Sequence, residues 1–430
     1  MDDPAFAPSF DLTTQTILLH ASNHDLESLK PLLRTPGNAS VQDPETGFTP
    51  LHAAIAACGP TPSSKDSISN INGEEGEGEE EEPVDIEKAK VVVKELFLSG
   101  AIWNDLDVND ETPGCLAWRL GRKELYELVV EAGVRAEVLL GLMGGYEELG
   151  SGSSTPEELD AEVEGETEDL NNGENGTHHP AEETDQEIPE PKRDVNSADF
   201  LQSELTFSED KLLDSDANGV MMSWETSIMR RTVDLLLPTS PPSGARILNI
   251  GFGMGIIDRM FRSTIPLSHH IIEAHPAVLA KISSPDSDFG TEWEKSAPEG
   301  GKYVIHAGRW QDVIPKLLQE GEVFDVIYFD TFGESYSQLK YFFTEYVVGL
   351  LDPKGRFGFF NGLGADRRVC YDVYRRVVEL DLCDAGMDVE WTEVGVKLEG
   401  KGEGEGEWEG VRRRYWTLEE YWLPVCGFMG

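Results

Sequence analysis

The chain has 430 residues, enough for two or three domains, and 81 acidic side chains against 35 basic ones give a formal charge of −46. That balance argues against a nucleic-acid surface, no apolar run is long enough to span a bilayer, and the acidic start Met1-Asp2-Asp3 does not fit a signal peptide. Five scattered cysteines (Cys58, Cys115, Cys370, Cys383, Cys426) without a C-x-x-C pair exclude a disulfide framework and a zinc site, so a soluble intracellular protein with no metal is expected.

The first part of the chain carries a diverged repeat. Thr49-Pro50-Leu51-His52-Ala53-Ala54 matches the T-P-L-H-x-A signature of ankyrin repeats. Leu19-His20-Ala21 lies about one ankyrin period earlier, and a third copy, Glu111-Thr112-Pro113-Gly114-Cys115-Leu116-Ala117, lies nearly one period late. Residues 60–87 account for the delay: they are rich in Ser, Gly and Glu and read as a disordered insertion in a loop. Helical spacing follows each signature, at Leu26, Leu29, Leu32 and Leu33, then Val92, Val93 and Leu96, then Leu125, Leu128 and Val129. Phe97–Ala101 and Val130–Val134 resemble the turn that closes an ankyrin unit. Residues 1–149 are therefore expected to form a small all-α ankyrin-like repeat domain. Residues 150–195 hold almost no large apolar side chains and read as an acidic flexible linker.

From 196 to 430 strands alternate with helices. Strands are expected at 246–250, 269–273, 302–306, 323–330 and 356–360, with helices around 310–319, 337–351 and 367–379. This alternation predicts a doubly wound parallel sheet of the Rossmann-like kind. Two further runs, 389–396 and 411–423, have the spacing of a C-terminal antiparallel hairpin, interrupted by a Gly/Glu run at 399–410 that reads as a solvated loop. The domain from 196 onwards is expected to fold without the first.

The stretch Arg246–Asp258 organises this second domain. An apolar strand runs into Gly251-Phe252-Gly253-Met254-Gly255-Ile256 and then a helix. The glycines let backbone pass close to a bound cofactor. A dinucleotide fingerprint would want glycine at 256, where Ile256 stands, so S-adenosylmethionine is favoured over nicotinamide or flavin. Glu273 ends the second strand about twenty residues on, where such folds hold the ribose hydroxyls. Asp330 ends the fourth strand, and Glu225 precedes the first, in Val220–Met229.

Four motifs in one order carry a resemblance: Val220–Met229, Gly251–Ile256, Gly308–Val313 and Phe324–Thr331 are similar to those of guanidinoacetate N-methyltransferases. With ankyrin-like repeats in front, the chain resembles the fungal type IV protein arginine N-methyltransferases. That resemblance implies a class I methyltransferase acting on the internal δ-nitrogen of an arginine, in a ribosomal protein, in cytoplasm and nucleus. It implies that Gly251, Phe252, Gly253, Met254, Gly255 and Ile256 line the methionine part of S-adenosylmethionine. Glu273, Ala274 and His275 would hold ribose and adenine, Trp310 and Gln311 would flank the adenine, and Met221, Met229 and Phe200 would pack on the cofactor. Glu225 and Asp330 would clamp the guanidinium, with Asp330 also beside the cofactor. A planar guanidinium with five donors suits two ionised carboxylates. Rival readings are a methyltransferase of small guanidino compounds and a non-catalytic ankyrin adaptor. Nothing in the residues fixes an oligomeric state.

Overall fold

The computed structural model describes residues 12–61, 85–143, 196–238, 244–398 and 406–430. The expected linker at 150–195 and most of the insertion at 60–87 lie outside the described residues.

Three helical hairpins open the chain: α1 (Leu12–Ser22) with α2 (Leu26–Leu32), α3 (Pro50–Ala56) with α4 (Ile86–Leu98), and α5 (Pro113–Arg119) with α6 (Lys123–Leu142). The first helices stack as α1 on α3 on α5, and the second as α2 on α4 on α6. The repeated Thr-Pro explains where the inner helices start. Thr49 caps α3 by accepting from the His52 N–H, Pro50 takes the first turn, and Thr112 and Pro113 repeat the arrangement at α5. His52 returns the favour: its Nδ1 accepts from the Thr49 N–H at 3.2 Å, and its Nε2 reaches the Glu111 carbonyl at 3.0 Å. One buried ring thus caps its own helix and pins the next hairpin, and burial holds its pKa below the usual histidine value. The expected turn at Val130–Val134 is absent. Those residues are inside α6, which runs on to Leu142 because its far side is covered by the next domain.

The second domain begins with α7 (Ser197–Gln202), capped by Asn196, and a three-stranded antiparallel sheet that the hydrophobic pattern did not suggest: β1 (Thr206–Phe207), β2 (Lys211–Leu213) and β3 (Gly219–Met222). These strands are too short to show a period of two. A 3-10 turn, Ser223–Glu225, leads into α8 (Thr226–Leu236). The main sheet follows, with β4 (Arg246–Ile250), α9 (Ile256–Ser263), β5 (Ser268–Glu273), α10 (Pro276–Ile282), α11 (Thr291–Lys295), β6 (Lys302–Ala307), α12 (Trp310–Glu320), β7 (Phe324–Phe329), α13 (Tyr336–Phe342, prolonged through a π-turn at Phe343–Val347 to Leu350), β8 (Leu351–Phe359), α14 (Arg368–Asp384), β9 (Met387–Gly395) and β10 (Glu420–Phe428). Strand order is β6-β5-β4-β7-β8-β10-β9. The first five are parallel, and β10 runs antiparallel between β8 and β9. This is a mixed, Rossmann-like methyltransferase sheet.

The closing hairpin differs from expectation in its second strand. Pairing starts at Glu420, not 411, because Trp416 and Leu418 are buried with Trp408, Val411 and Met222 in a cluster of their own and not in the ladder. Trp408 also corrects the reading of 399–410 as a solvated loop: residues 399–405 lie outside the described ones, but the last part carries a fully buried tryptophan.

The two domains share a core. Leu125, Val129 and Val130 of α6 and Val369, Val373 and Val377 of α14 lie in one continuous buried cluster. Gly114 and Gly133 permit the approach: a Cβ on them would stand 2.5 and 2.6 Å from Val369 and Val373. Tyr126 donates to Asp372, Tyr374 donates to Glu137, Arg376 pairs with Glu127, and the Arg368 guanidinium lies over the Trp118 ring at 4.3 Å.

Candidate active site

In this sheet the chain goes from β4 outward to β5 and β6, then returns to place β7 on the other side of β4. Ligands of open α/β sheets bind at that switch point, outside the carboxyl ends of the strands. Gly251 sits there with φ +94°, and a Cβ on it would lie 1.8 Å from the Asp330 carbonyl oxygen. Only glycine lets the ends of β4 and β7 approach so closely. The loop is held from below and from the side. Asn249 donates to the Gly251 carbonyl and to Asp258, both at 2.8 Å, and Asp258 meets His269 at 3.0 Å in a buried pair. Glu273 accepts from the N–H groups of Phe252 (3.0 Å) and Gly253 (3.3 Å) through one oxygen, and from that of His275 (2.6 Å) through the other. A carboxylate offers about four acceptor positions, and three are taken, so Glu273 can brace the loop and still receive one hydroxyl.

A cavity opens above this floor, between the glycine loop, α7 and the turn after β7. Of the residues expected at the cofactor, Phe200, Met221, Gly251, Gly253, Glu273, Ala274, Trp310, Gln311 and Asp330 line it. Phe252, Met254, Gly255, Ile256, Met229 and His275 do not. Phe252 turns into the core against Phe289 (5.2 Å between ring centres), and Gly255 is glycine because a Cβ would strike the Phe252 ring at 2.4 Å. Met254 donates its N–H to the Met221 sulfur, and Met229 is fully buried in the core. His275 serves as a staple: its Nδ1 accepts from the Ala277 N–H, and its Nε2 reaches the Phe200 carbonyl at 3.0 Å. The Phe200 ring meets His275 and Phe332 at 4.7 and 4.8 Å, so α7 closes one side of the cavity.

Glu334 is a wall residue that sequence reasoning missed. Its carboxylate accepts from Trp310 Nε1 (2.9 Å), Gln311 Nε2 (3.0 Å) and Thr331 Oγ1 (2.8 Å). It lies in the irregular turn after β7, and no motif marks it. Because the Gln311 amide donates to Glu334 and to Gln338, its buried oxygen is left without a partner among the described residues. That orphan acceptor, the acids Glu273 and Asp330, and the apolar Leu212, Val220 and Ile272 fit an adenine, a ribose and a cationic sulfonium. S-adenosylmethionine therefore suits the residues present.

Beside the cavity lie the two expected catalytic acids. Glu225 is 4 % exposed, and its carboxylate takes a hydrogen bond from the Tyr415 hydroxyl. Burial, with the Asp330 charge facing it, pushes the Glu225 carboxyl up to about 8. Burial, with Asp258 nearby, pushes Asp330 up to about 7. Among the described residues neither has a salt-bridge partner. Two buried acids that repel each other do not both ionise at neutral pH unless a cation comes between them.

The guanidinoacetate N-methyltransferase family model matches residues 196–368, the span that holds both acids and the glycine loop. Relatives match nearly the whole chain. A protein of Gibberella zeae is 55% identical over 412 residues, covering 94% of this chain and 90% of its own. One of Neurospora crassa is 53% identical, covering 97% and 96%, and one of Aspergillus fumigatus is 48% identical with both chains fully covered. Each of the three is named protein arginine N-methyltransferase 2.

Proposed function

The chain belongs to the protein arginine N-methyltransferase 2 family of fungi, and from that premise we propose that it methylates the internal nitrogen of a protein arginine, the one bonded to Cδ. The observation that carries this reading is the uncompensated pair Glu225 and Asp330 beside the cavity. S-adenosylmethionine, when bound, supplies an electrophilic methyl on a sulfonium. Gly251, Gly253, Glu273, Trp310 and Gln311 are the residues that would hold it.

The rest follows from the chain's own groups. An arginine guanidinium has a pKa above roughly 12 and a delocalised lone pair, so it is a poor nucleophile. Two carboxylates that accept from the terminal N–H groups draw positive charge toward those ends and hold the plane still. The internal nitrogen is then left free to meet the methyl, and fixed placement of both reactants supplies much of the acceleration. Its proton passes to one of the two carboxylates, whose raised pKa suits a general base near neutrality. Because both acids must be ionised to grip the cation, the arginine displaces a proton as it binds.

The three helical hairpins read as ankyrin repeats, and their place against the catalytic domain supports a protein substrate over a free metabolite. A ribosomal protein, met in cytoplasm or nucleus, is the substrate to test first. The guanidinoacetate family match favours a second reading, a small guanidino compound. One experiment separates them. Labelled S-adenosylmethionine is incubated with arginine peptides, with guanidinoacetate and with ribosomal proteins, and the products are hydrolysed and fragmented in a mass spectrometer. Internal monomethylarginine is expected. Predominant terminal-nitrogen methylarginine, or turnover confined to guanidinoacetate, overturns the proposal.

A further inference from the structure

We infer that Tyr415 is a positioning residue for the reaction: its hydroxyl holds Oε1 of Glu225 and, with a backbone hydrogen bond from Met222, sets how the carboxylate meets the guanidinium. This inference rests on the reading of Glu225 as part of the clamp. Tyr415 lies beyond residue 368, outside the span that matches the guanidinoacetate enzymes, so no motif points to it.

The geometry is that of a strap. After the 3-10 turn Gly406–Trp408 the chain crosses back over the small sheet that leads into the turn with Glu225. The Lys211 ammonium donates to the carbonyls of Glu407 (3.3 Å) and Glu409 (2.8 Å), and the Arg412 N–H donates to the Ala217 carbonyl (2.8 Å). The far end is tied to the loop before α14, where the Thr417 N–H reaches the Ala365 carbonyl and Arg413 pairs with Asp366 at 2.7 Å. Between these anchors Trp408, Tyr415 and Trp416 surround Trp224, with ring centres at 6.4, 6.0 and 5.7 Å. Gly219 makes room for the tyrosine, since a Cβ there would stand 2.9 Å from its ring. Several independent contacts therefore fix where the Tyr415 oxygen sits, and that oxygen sits on Glu225.

A phenol in this place has two effects. It occupies Oε1 and so selects the carboxylate rotamer. It also donates to the ionised form, which works against burial and against Asp330 in setting the charge of Glu225. The other titratable groups that act on Glu225 are Tyr328 from β7, Tyr421 from β10 and Asp330. Burial raises both phenols well above their usual range, so they stay neutral, and Tyr415 is raised in the same way and remains a donor.

The test uses the full chain, an arginine peptide as substrate, and S-adenosylhomocysteine as the probe of the cofactor site. Tyr415→Phe removes one oxygen atom. Its kcat/KM at pH 7 should fall roughly tenfold, the acid limb of the pH profile should move up by about one unit, and activity should recover on the alkaline side. Calorimetric affinity for S-adenosylhomocysteine should stay within about twofold, as the strap does not line that cavity. Glu225→Gln is run in parallel. Should it remove activity while Tyr415→Phe keeps the wild-type pH profile, the role of Tyr415 is overturned and the clamp stands. Should Glu225→Gln be as active as wild type, the clamp fails and this inference with it. If Tyr415→Phe does not fold, 3-fluorotyrosine at position 415 gives a stronger donor and should move the acid limb down; an unmoved limb overturns the inference.

Discussion

Glu225 and Asp330 make opposite demands on stability and function. Each has a pKa raised in the folded chain, to about 8 and about 7. A raised acid favours folding below its unfolded pKa, and that contribution is lost as pH rises through the folded value. The ligand-free protein should thus become less stable between about pH 4.5 and pH 8. Glu225→Gln should melt a few degrees higher than wild type at pH 8 and equally at pH 4, while turnover falls by a thousandfold or so. A calorimetric scan at the two pH values with one activity assay checks both. The same acids give kcat/KM for an arginine peptide an acid limb that climbs to about pH 8, and kcat, measured with the cation already bound, should depend less on pH. Glycines separate by what stands opposite them. Gly251→Ala places a Cβ against backbone, the Asp330 carbonyl at 1.8 Å, and should cost stability as well as cofactor affinity. Gly253→Ala meets the Met221 side chain at 2.9 Å, which can move, so beyond the roughly 1–2 kcal/mol of an alanine at φ +54° it should add little loss of stability while weakening S-adenosylhomocysteine binding. Equal melting losses for the two would contradict this distinction.

At the scale of elements, α6 and α14 decide how independent the domains are. The expectation that residues from 196 onward fold without the hairpins rests on the acidic linker, and the structure has Val369 and Val373 covered by the hairpins. A chain starting at Asn196 should melt well below the full protein and aggregate, since it exposes that face. Gly133→Val is the finer probe: its branches would enter space held by Val373 and Trp103, at 2.6 and 3.0 Å from the Cβ, and should destabilise by about 1–3 kcal/mol. Unchanged melting of both variants would mean that the shared core contributes nothing. The parallel strands were legible because buried strands read as apolar runs ended by turns. The small sheet β1–β3 was not, and the last hairpin was misplaced at 411. There Val411, Trp416 and Leu418 form a strap whose apolar residues pack without pairing, and an apolar run by itself does not tell the two apart.

For the whole molecule, charge and docking belong together. A chain with 81 acids and 35 bases would favour a basic partner over distances that salt screens. Raising ionic strength from roughly 50 to 300 mM should therefore raise KM several-fold for a basic protein substrate and little for a short neutral peptide. Equal effects on both would place the electrostatics in the catalytic cleft alone. The helical hairpins abut α14, and α14 follows directly on the loop to which the Tyr415 strap is tied. A substrate held by the hairpins would thus lie near the loop to which that strap is tied.

The amino-acid order alone determined the strand that ends in Gly251, the acids that end β5 and β7, and the motif that contains Glu225. These are set by local rules: buried strands are apolar, a tight turn needs glycine, and ligands meet the ends of strands. What only the tertiary structure decided is which groups meet across long separations. Tyr415 bonds Glu225, Glu334 gathers Trp310, Gln311 and Thr331, and His275 staples Phe200. Single hydroxyls and carboxylates have no period and no motif. Their partners are chosen by how the sheet is wound and where the strap crosses it.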